Sequence, residues 1–429
     1  MKSDPMEKSR GNMIGWLVWG CAALFYGFQF VLRVSPGVIA EDLMRDLALD
    51  ACMTGVLASC YYIGYSAMQI PTGVILDRFG PRRPLVFACL LCCIGALIFG
   101  YAQSLTLLQI GRTFMGVGSA FAFLSCVKLA SLYFPPRILS ILVGLTLSVG
   151  TFGATVAGAP FGMLVDATNW RVANYVLAGV SLLIALAAWI VIRENAAHTA
   201  SREENRSEPL IQGIKSVLVN PQTWIYGLYG FAMYVPLSGF ADLWGTPFIT
   251  EAYKMDKTTA AGVTSLFYIG LGFGAPLWSY WATRILSYRR AMMWGALTST
   301  IFMTSVLYLP MSLLPLYVVM ALAGFCAGSQ FMAFAAVSAL HPLHRTATSS
   351  GVHNMLCMLS GVAMQPLLGH FLDRCLACDP KCVGVMGRYT HEHFLWSLAI
   401  IPVFLVIAFV LTLVMKETFP RGAGAEPSA

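Results

Sequence analysis

Between two long apolar runs the chain reads Gly73-Val74-Ile75-Leu76-Asp77-Arg78-Phe79-Gly80-Pro81-Arg82-Arg83. Gly73 is expected to let a neighbouring helix approach closely. Asp77 stands where a helix leaves an apolar layer, within reach of a neighbouring helix N-terminus, where anions are favoured. Gly80 permits a tight turn. Arg78, Arg82 and Arg83 mark the side of a bilayer that collects basic residues. The segment therefore reads as a polar hinge between two spanning helices, and it sets the direction in which the rest of the chain is threaded.

The remainder is built to match. Of 429 residues, 58% are hydrophobic and only 11% charged, with a mean hydropathy of +0.71. A soluble domain carries roughly 25% charged residues. The apolar residues come in blocks rather than in alternation, which fits spanning helices and not a barrel. Blocks of the roughly 20 residues a span requires lie near 14–36, 52–76, 84–102, 105–131, 138–162, 171–192, 222–244, 259–282, 291–309, 315–340, 348–371 and 393–415. A tight turn at Gln103-Ser104 joins the third and fourth. Met1–Arg10 is polar and basic and precedes an apolar run, as in a signal peptide. The run lacks a clear small-x-small cleavage site and is read as a retained first helix.

With the N-terminus inside, inside segments hold 17 Lys and Arg, outside segments 7, and three (Arg33, Arg112, Lys128) lie within blocks. This bias puts both termini on the cytoplasmic side. The net charge of +7 is then a topology signal and implies no nucleic-acid partner.

The longest polar stretch, Arg193–Glu208, is charged, lacks aromatic residues and reads as a mobile linker. It leaves six blocks on each side. The halves repeat: Pro135 and Pro342, Gly144 and Gly351, Gly162 and Gly369, and Asp166 and Asp373 are all 207 apart. The expected architecture is an all-α membrane protein of twelve helices in two pseudo-symmetric six-helix bundles, 1–193 and 221–429, joined by 194–220.

The Gly73–Arg83 loop resembles the cytoplasmic signature of the major facilitator superfamily, G-x-x-x-D-[RK]-x-G-x-[RK]-[RK]. Arg112-Thr113-Phe114-Met115-Gly116-Val117-Gly118 is similar to that family's R-x-x-x-G-x-G segment, and Gly158-Ala159-Pro160-Phe161-Gly162 to its G-P-x-x-G bend, with Ala159 as a departure. Asn169-Trp170-Arg171 is also family-like. The resemblance spans the chain and implies a transporter of a small solute working by alternating access. It gives gating roles to Gly73, Asp77, Arg78, Gly80, Arg82, Arg83, Gly158 and Pro160. Asp77 is expected to cap the eleventh helix near Thr346–Ser349. The second copy of the loop, around Ser279–Arg290, has decayed: Thr283 stands about where an Asp is expected, while Arg284, Arg289 and Arg290 persist. The segment Leu32-Arg33-Val34-Ser35-Pro36 resembles a bacterial branch related to lysosomal dipeptide carriers.

Ionisable groups at bilayer depth are costly and mark functional sites. Arg33 reads either as a binding group or as a side chain snorkelling to the interface. Arg112 reads as a contact to solute or coupling proton, or as a helix brace. Asp242 is the one carboxylate within a block interior, near the outer end of the seventh. Tyr26, Gln29, Tyr61, Tyr65, Tyr234, Tyr268, His353 and Asn354 complete the candidate solute-binding set; packing or an interfacial belt is the bland alternative for each. Three basic groups against one carboxylate favour an anionic or zwitterionic solute: an organic anion, an amino acid or a short peptide. The other readings are a proton-coupled exporter of drugs or metabolites, and a non-transporting receptor or scaffold.

Nine of the 12 cysteines lie in apolar blocks. Cys375, Cys378 and Cys382 follow the eleventh block, where one disulfide plus a free thiol is expected and no metal is assigned. The sequence has no HExxH, no nucleophile–His–acid grouping and no Gly-rich loop with a phosphate-binding Lys, so no enzyme and no cofactor is expected. The expected form is a monomer in a bacterial inner membrane.

Overall fold

The computed structural model describes residues 5–134, 136–192, 210–341, 346–378 and 389–419. The described residues contain helix and no strand. The spans are α1 (Pro5–Val38), α2 (Ala51–Phe79), α3 (Arg82–Tyr101), α4 (Leu105–Ser119 continued by Phe121–Tyr133), α5 (Pro136–Val156 and Ala159–Ala167) and α6 (Trp170–Val191). They continue with α7 (Pro221–Val235, Pro236–Trp244 and Gly245–Tyr253), α8 (Lys257–Ile285), α9 (Tyr288–Tyr308) and α10 (Leu313–Ala327, Gly328–Phe331 and Met332–Ser338). The last two are α11 (Thr346–Cys378) and α12 (His391–Leu398 and Ile400–Val414).

Among the described residues, ten helices are long and apolar enough to cross a membrane. The two spans outside that set are α2 and α7. Polar side chains at Tyr61, Tyr62, Tyr65 and Gln69 dilute α2. The longest regular stretch of α7, Pro221–Val235, has 15 residues because the chain then enters a π-helix at Pro236–Trp244. Pro236 has no N–H to continue the α-ladder, and the wider π-turn follows.

Helix contacts obey the repeat. In the first half α1 packs on α5, α2 on α4 and α3 on α6; in the second α7 packs on α11, α8 on α10 and α9 on α12. Between halves α2 meets α11, α5 meets α8, and α1 meets the π segment of α7. Adding six to each number maps these pairings onto one another, as two six-helix bundles require. At the α2–α4 crossing a Cβ on Gly116 would overlap the Tyr61 carbonyl, and at α8–α10 one on Gly324 would overlap the Phe267 carbonyl. Small residues there bring backbones into contact, which drives association where lipid removes the hydrophobic incentive.

Several expectations need correction. Among the described residues nothing lies within 4 Å of a Cβ placed on Gly73, so none of their helices approaches closely there. Gly80 does make the turn, at φ +72°. The first span starts earlier than position 14, and the seventh runs past 244 to Tyr253. Within the 194–220 segment, Leu210–Val219 is a helix whose Val217 packs on Val352 and Leu356. Residues 193–209, Pro135, Pro342, Cys382 and the side chain of Asp77 lie outside the described residues. Cys375 and Cys378 are free thiols, so no bridge joins those two.

The Asp77–Arg83 loop and its counterpart at Leu286–Ser287 lie on one face of the bundle, here the basic face; the Ala40–Asp50 and Lys254–Asp256 connections lie on the opposite, far face.

Candidate functional site

At the centre, α1 brings Arg33 against Asp242 in the π segment of α7. Arg33 Nε lies 3.2 Å from Asp242 Oδ2, and the two side chains are 4% and 0% exposed. Arg33 Nη1 donates to Tyr234 Oη at 2.9 Å. Its Nη2 is buried and has no hydrogen-bond partner among the described residues. The guanidinium also lies 4.0 Å over the Phe30 ring. Snorkelling is thereby excluded for Arg33.

Asp242 receives a hydrogen bond from Tyr62 of α2 at Oδ2 and one from Tyr268 of α8 at Oδ1, the latter at 2.5 Å. Tyr62 and Tyr268 are 206 residues apart. Each therefore sits eleven residues into its helix, Ala51–Phe79 and Lys257–Ile285, about 16 Å along the axis. That is half the roughly 30 Å of a hydrocarbon core. One carboxylate at mid-depth is thus held by repeat-related tyrosines, one from each bundle. Tyr62 was not among the expected binding residues; its equal spacing with Tyr268 was the available signal.

Arg112 stands one layer out. Its Nη1 donates to the Leu32 carbonyl at 2.5 Å and its Nη2 to the Arg33 carbonyl at 3.3 Å. It also lies 4.9 Å over the Tyr61 ring. Arg112 therefore braces the turn of α1 that carries Arg33. Gln29 Oε1 accepts from Tyr61 at 2.7 Å, and Tyr65 stacks on Tyr61 at 6.1 Å. Tyr26 packs against Phe30 and Phe123. These residues support the pair without touching it.

His353 and Asn354 belong to a separate group nearer the basic face. His353 is fully buried, 3.5 Å from Cys357 Sγ and edge-on to Phe334. Asn354 donates across the bundle interface to Gln69 Oε1 at 2.8 Å. Of the residues assigned to gating, Arg82 donates to the Trp189 carbonyl at 2.9 Å and lies over the Trp189 ring, a contact inside its own bundle. Its repeat mate Arg289 likewise donates to the Thr412 and Leu413 carbonyls. Arg82 and Arg289 each hold the end of the sixth helix of their own bundle. Gly158 is different: a Cβ there would overlap Ser265 Oγ of α8, so it permits contact between bundles. Pro160 starts the second part of α5 at N1/N2.

Arg33 is thus engaged by Asp242 and Arg112 by carbonyls. Among the described residues no group of His, Cys, Asp or Glu is arranged to hold a metal.

The family model of the Major Facilitator Superfamily matches residues 18–363 and 237–423. The probable sulfoacetate transporter SauU of Cupriavidus necator is 28% identical over 39% of this chain and 39% of its own length. The chain thus spans about two fifths of that relative. The uncharacterised transporter YybO of Bacillus subtilis is 24% identical over 86% of this chain and 90% of its own. Among solved structures, a bacterial homologue of the human lysosomal transporter Spinster superposes with a TM-score of 0.74 at 18% identity, covering 95% of this chain and 98% of that one. With twelve helices in two repeat-related bundles and a family match that runs nearly end to end, the chain belongs to the Major Facilitator Superfamily: it is a multi-pass membrane transporter and not an enzyme.

Proposed function

We propose that this transporter moves a small anionic or zwitterionic solute by alternating access, with Arg33 as the group that receives the solute's negative end. The observation that carries this reading is a buried ion pair bridging the two bundles at mid-depth, in which Arg33 Nε is held by the ion pair alone and Nη2 has no partner among the described residues. A buried donor without a partner costs about 1–3 kcal/mol. A carboxylate or sulfonate on Nη2 removes that cost and forms a charge-assisted bond. The likeness to SauU, a probable sulfoacetate transporter, supports the anionic end of the range.

An anion that takes Arg33 releases Asp242 from its counter-ion. A zwitterion supplies a replacement positive charge, while with a plain anion Asp242 keeps only the Tyr62 and Tyr268 hydroxyls. Because Arg33 belongs to one bundle and Asp242 to the other, solute binding loosens their bond at the centre. The bundles, 1–193 and 221–429, then rock about it, with the basic face cytoplasmic in a bacterial inner membrane and the transporter acting as a monomer.

The test is uptake into proteoliposomes against a panel of carboxylates, sulfonates, amino acids and dipeptides, with and without an imposed proton gradient. Expected is flux of at least one anionic or zwitterionic class, abolished by Arg33→Ala while membrane insertion survives. Wild-type rates in Arg33→Ala would remove the anion site. No flux with any class would favour a non-transporting scaffold.

A further inference from the structure

We propose that Asp166 and Asp373 form a repeat-related pair of latches holding the far face shut, with the Asp373 latch the stronger. Both lie near the far ends of their helices, α5 and α11, and both reach into the other bundle. Asp373 Oδ1 accepts from the Ala51 amide at 3.1 Å and Oδ2 from the Cys52 amide at 2.7 Å. Asp166 accepts from the Thr258 hydroxyl and lies 3.4 Å from Lys257 Nζ. The partner positions are related too: Ala51 and Cys52 open α2 as Lys257 and Thr258 open α8, each 206 residues on. The repeat thus builds the same bond twice, on opposite sides of the pseudo-symmetry axis.

The chemistry of the two differs. Asp373 takes two free amides at a helix N-terminus, where the dipole favours an anion and the amides have no helical acceptor. The Tyr389 hydroxyl adds a third bond to it, at 2.5 Å. The seam beside it is tight: Cβ atoms on Gly55 and Gly369 would overlap the Gln365 and Ala51 carbonyls. Asp166 is 51% exposed and bonds only side chains, one of them the Lys257 ammonium that Asp42 shares at 2.7 Å. An exposed ion pair of that kind is worth little and is screened by salt. Opening toward the far face must part α2 from α11 and α5 from α8 together, because each bundle moves as a body.

This inference rests on the alternating-access reading, but its test needs no solute. Hydrogen–deuterium exchange is followed by mass spectrometry on the full chain in lipid nanodiscs. In Asp373→Ala, exchange is expected to rise about tenfold in the first turns of α2 and also in the first turns of α8, the loss of a helix cap being amplified by release of the seam. Asp373→Asn, which keeps one acceptor oxygen and is the gentler change, should give an intermediate rise in both places. Asp166→Ala should raise exchange only about two- to threefold. A rise confined to the α2 amides, with α8 unchanged, would mean local capping and would overturn the proposal, as would an Asp166→Ala effect equal to that of Asp373→Ala. Coupled exchange in a chain without flux would retain the latches and sink the transport reading; normal flux with purely local exchange would do the reverse.

Discussion

Replacing both members of the central pair should stabilise the protein relative to either single change, yet leave it inactive. In Arg33→Met the Asp242 carboxylate keeps the Tyr62 and Tyr268 hydroxyls but loses its counter-charge. In Asp242→Leu the guanidinium keeps Tyr234 but loses its carboxylate, and two tyrosine hydroxyls lose their acceptor as well. Breaking a buried pair from one side costs about 3–5 kcal/mol. Asp242→Leu also orphans two donors at about 1–3 kcal/mol each, so it should be the worse of the two. The double variant has no unpaired charge and retains only the hydroxyl penalty. Its loss should therefore fall short of the sum of the singles by about 3 kcal/mol or more. The assay is an SDS-unfolding series on wild type, both singles and the double in mixed micelles, with proteoliposome flux measured on the same preparations. All three variants should lack transport. Additive stabilities would show that the two charges do not interact, and the argument from the pair would fail. A double variant transporting at the wild-type rate would place the solute elsewhere.

Three further outcomes are expected. Arg112→Lys loses the two-pronged hold on the Leu32 and Arg33 carbonyls; flux should fall at least about tenfold, because a point charge cannot replace the planar fork, and unchanged flux would remove Arg112 as the positioning residue for Arg33. Glu417 accepts from the Tyr288 and Arg289 amides and from the Ser287 hydroxyl; Glu417→Ala should cost about 1–2 kcal/mol as a lost N-terminal cap, read by the same SDS titration. Gly158→Val drives a branched side chain into Ser265 at the α5–α8 seam; the far face should then fail to close, seen as faster amide exchange at the start of α8, and wild-type exchange there would contradict the seam.

The Gly73–Arg83 loop and the 207-residue offset made the helical membrane fold legible, because blocks of apolar residues and repeated special residues leave their spacing in the chain. Arg33, Tyr234, Asp242 and Tyr268 were also visible as polar residues in apolar surroundings. Their partnership was not, since 209 positions separate Arg33 from Asp242 and nothing local couples them. A tally of interior charges could not show that folding pairs Arg33 with Asp242 and bonds Arg112 to carbonyls. Tyr62 was left out of the candidate set because α2 presents tyrosines on more than one side, and only packing selects the one that meets Asp242. Asp166 and Asp373 announced a repeat by themselves, but that each reaches into the other bundle is a property of two bodies brought face to face. The sequence by itself determined the spans, their repeat and the family, because hydropathy and spacing are written along one dimension. Which charge meets which was decided only in the tertiary structure, because a bond across the bundle interface depends on how two separately folded halves dock.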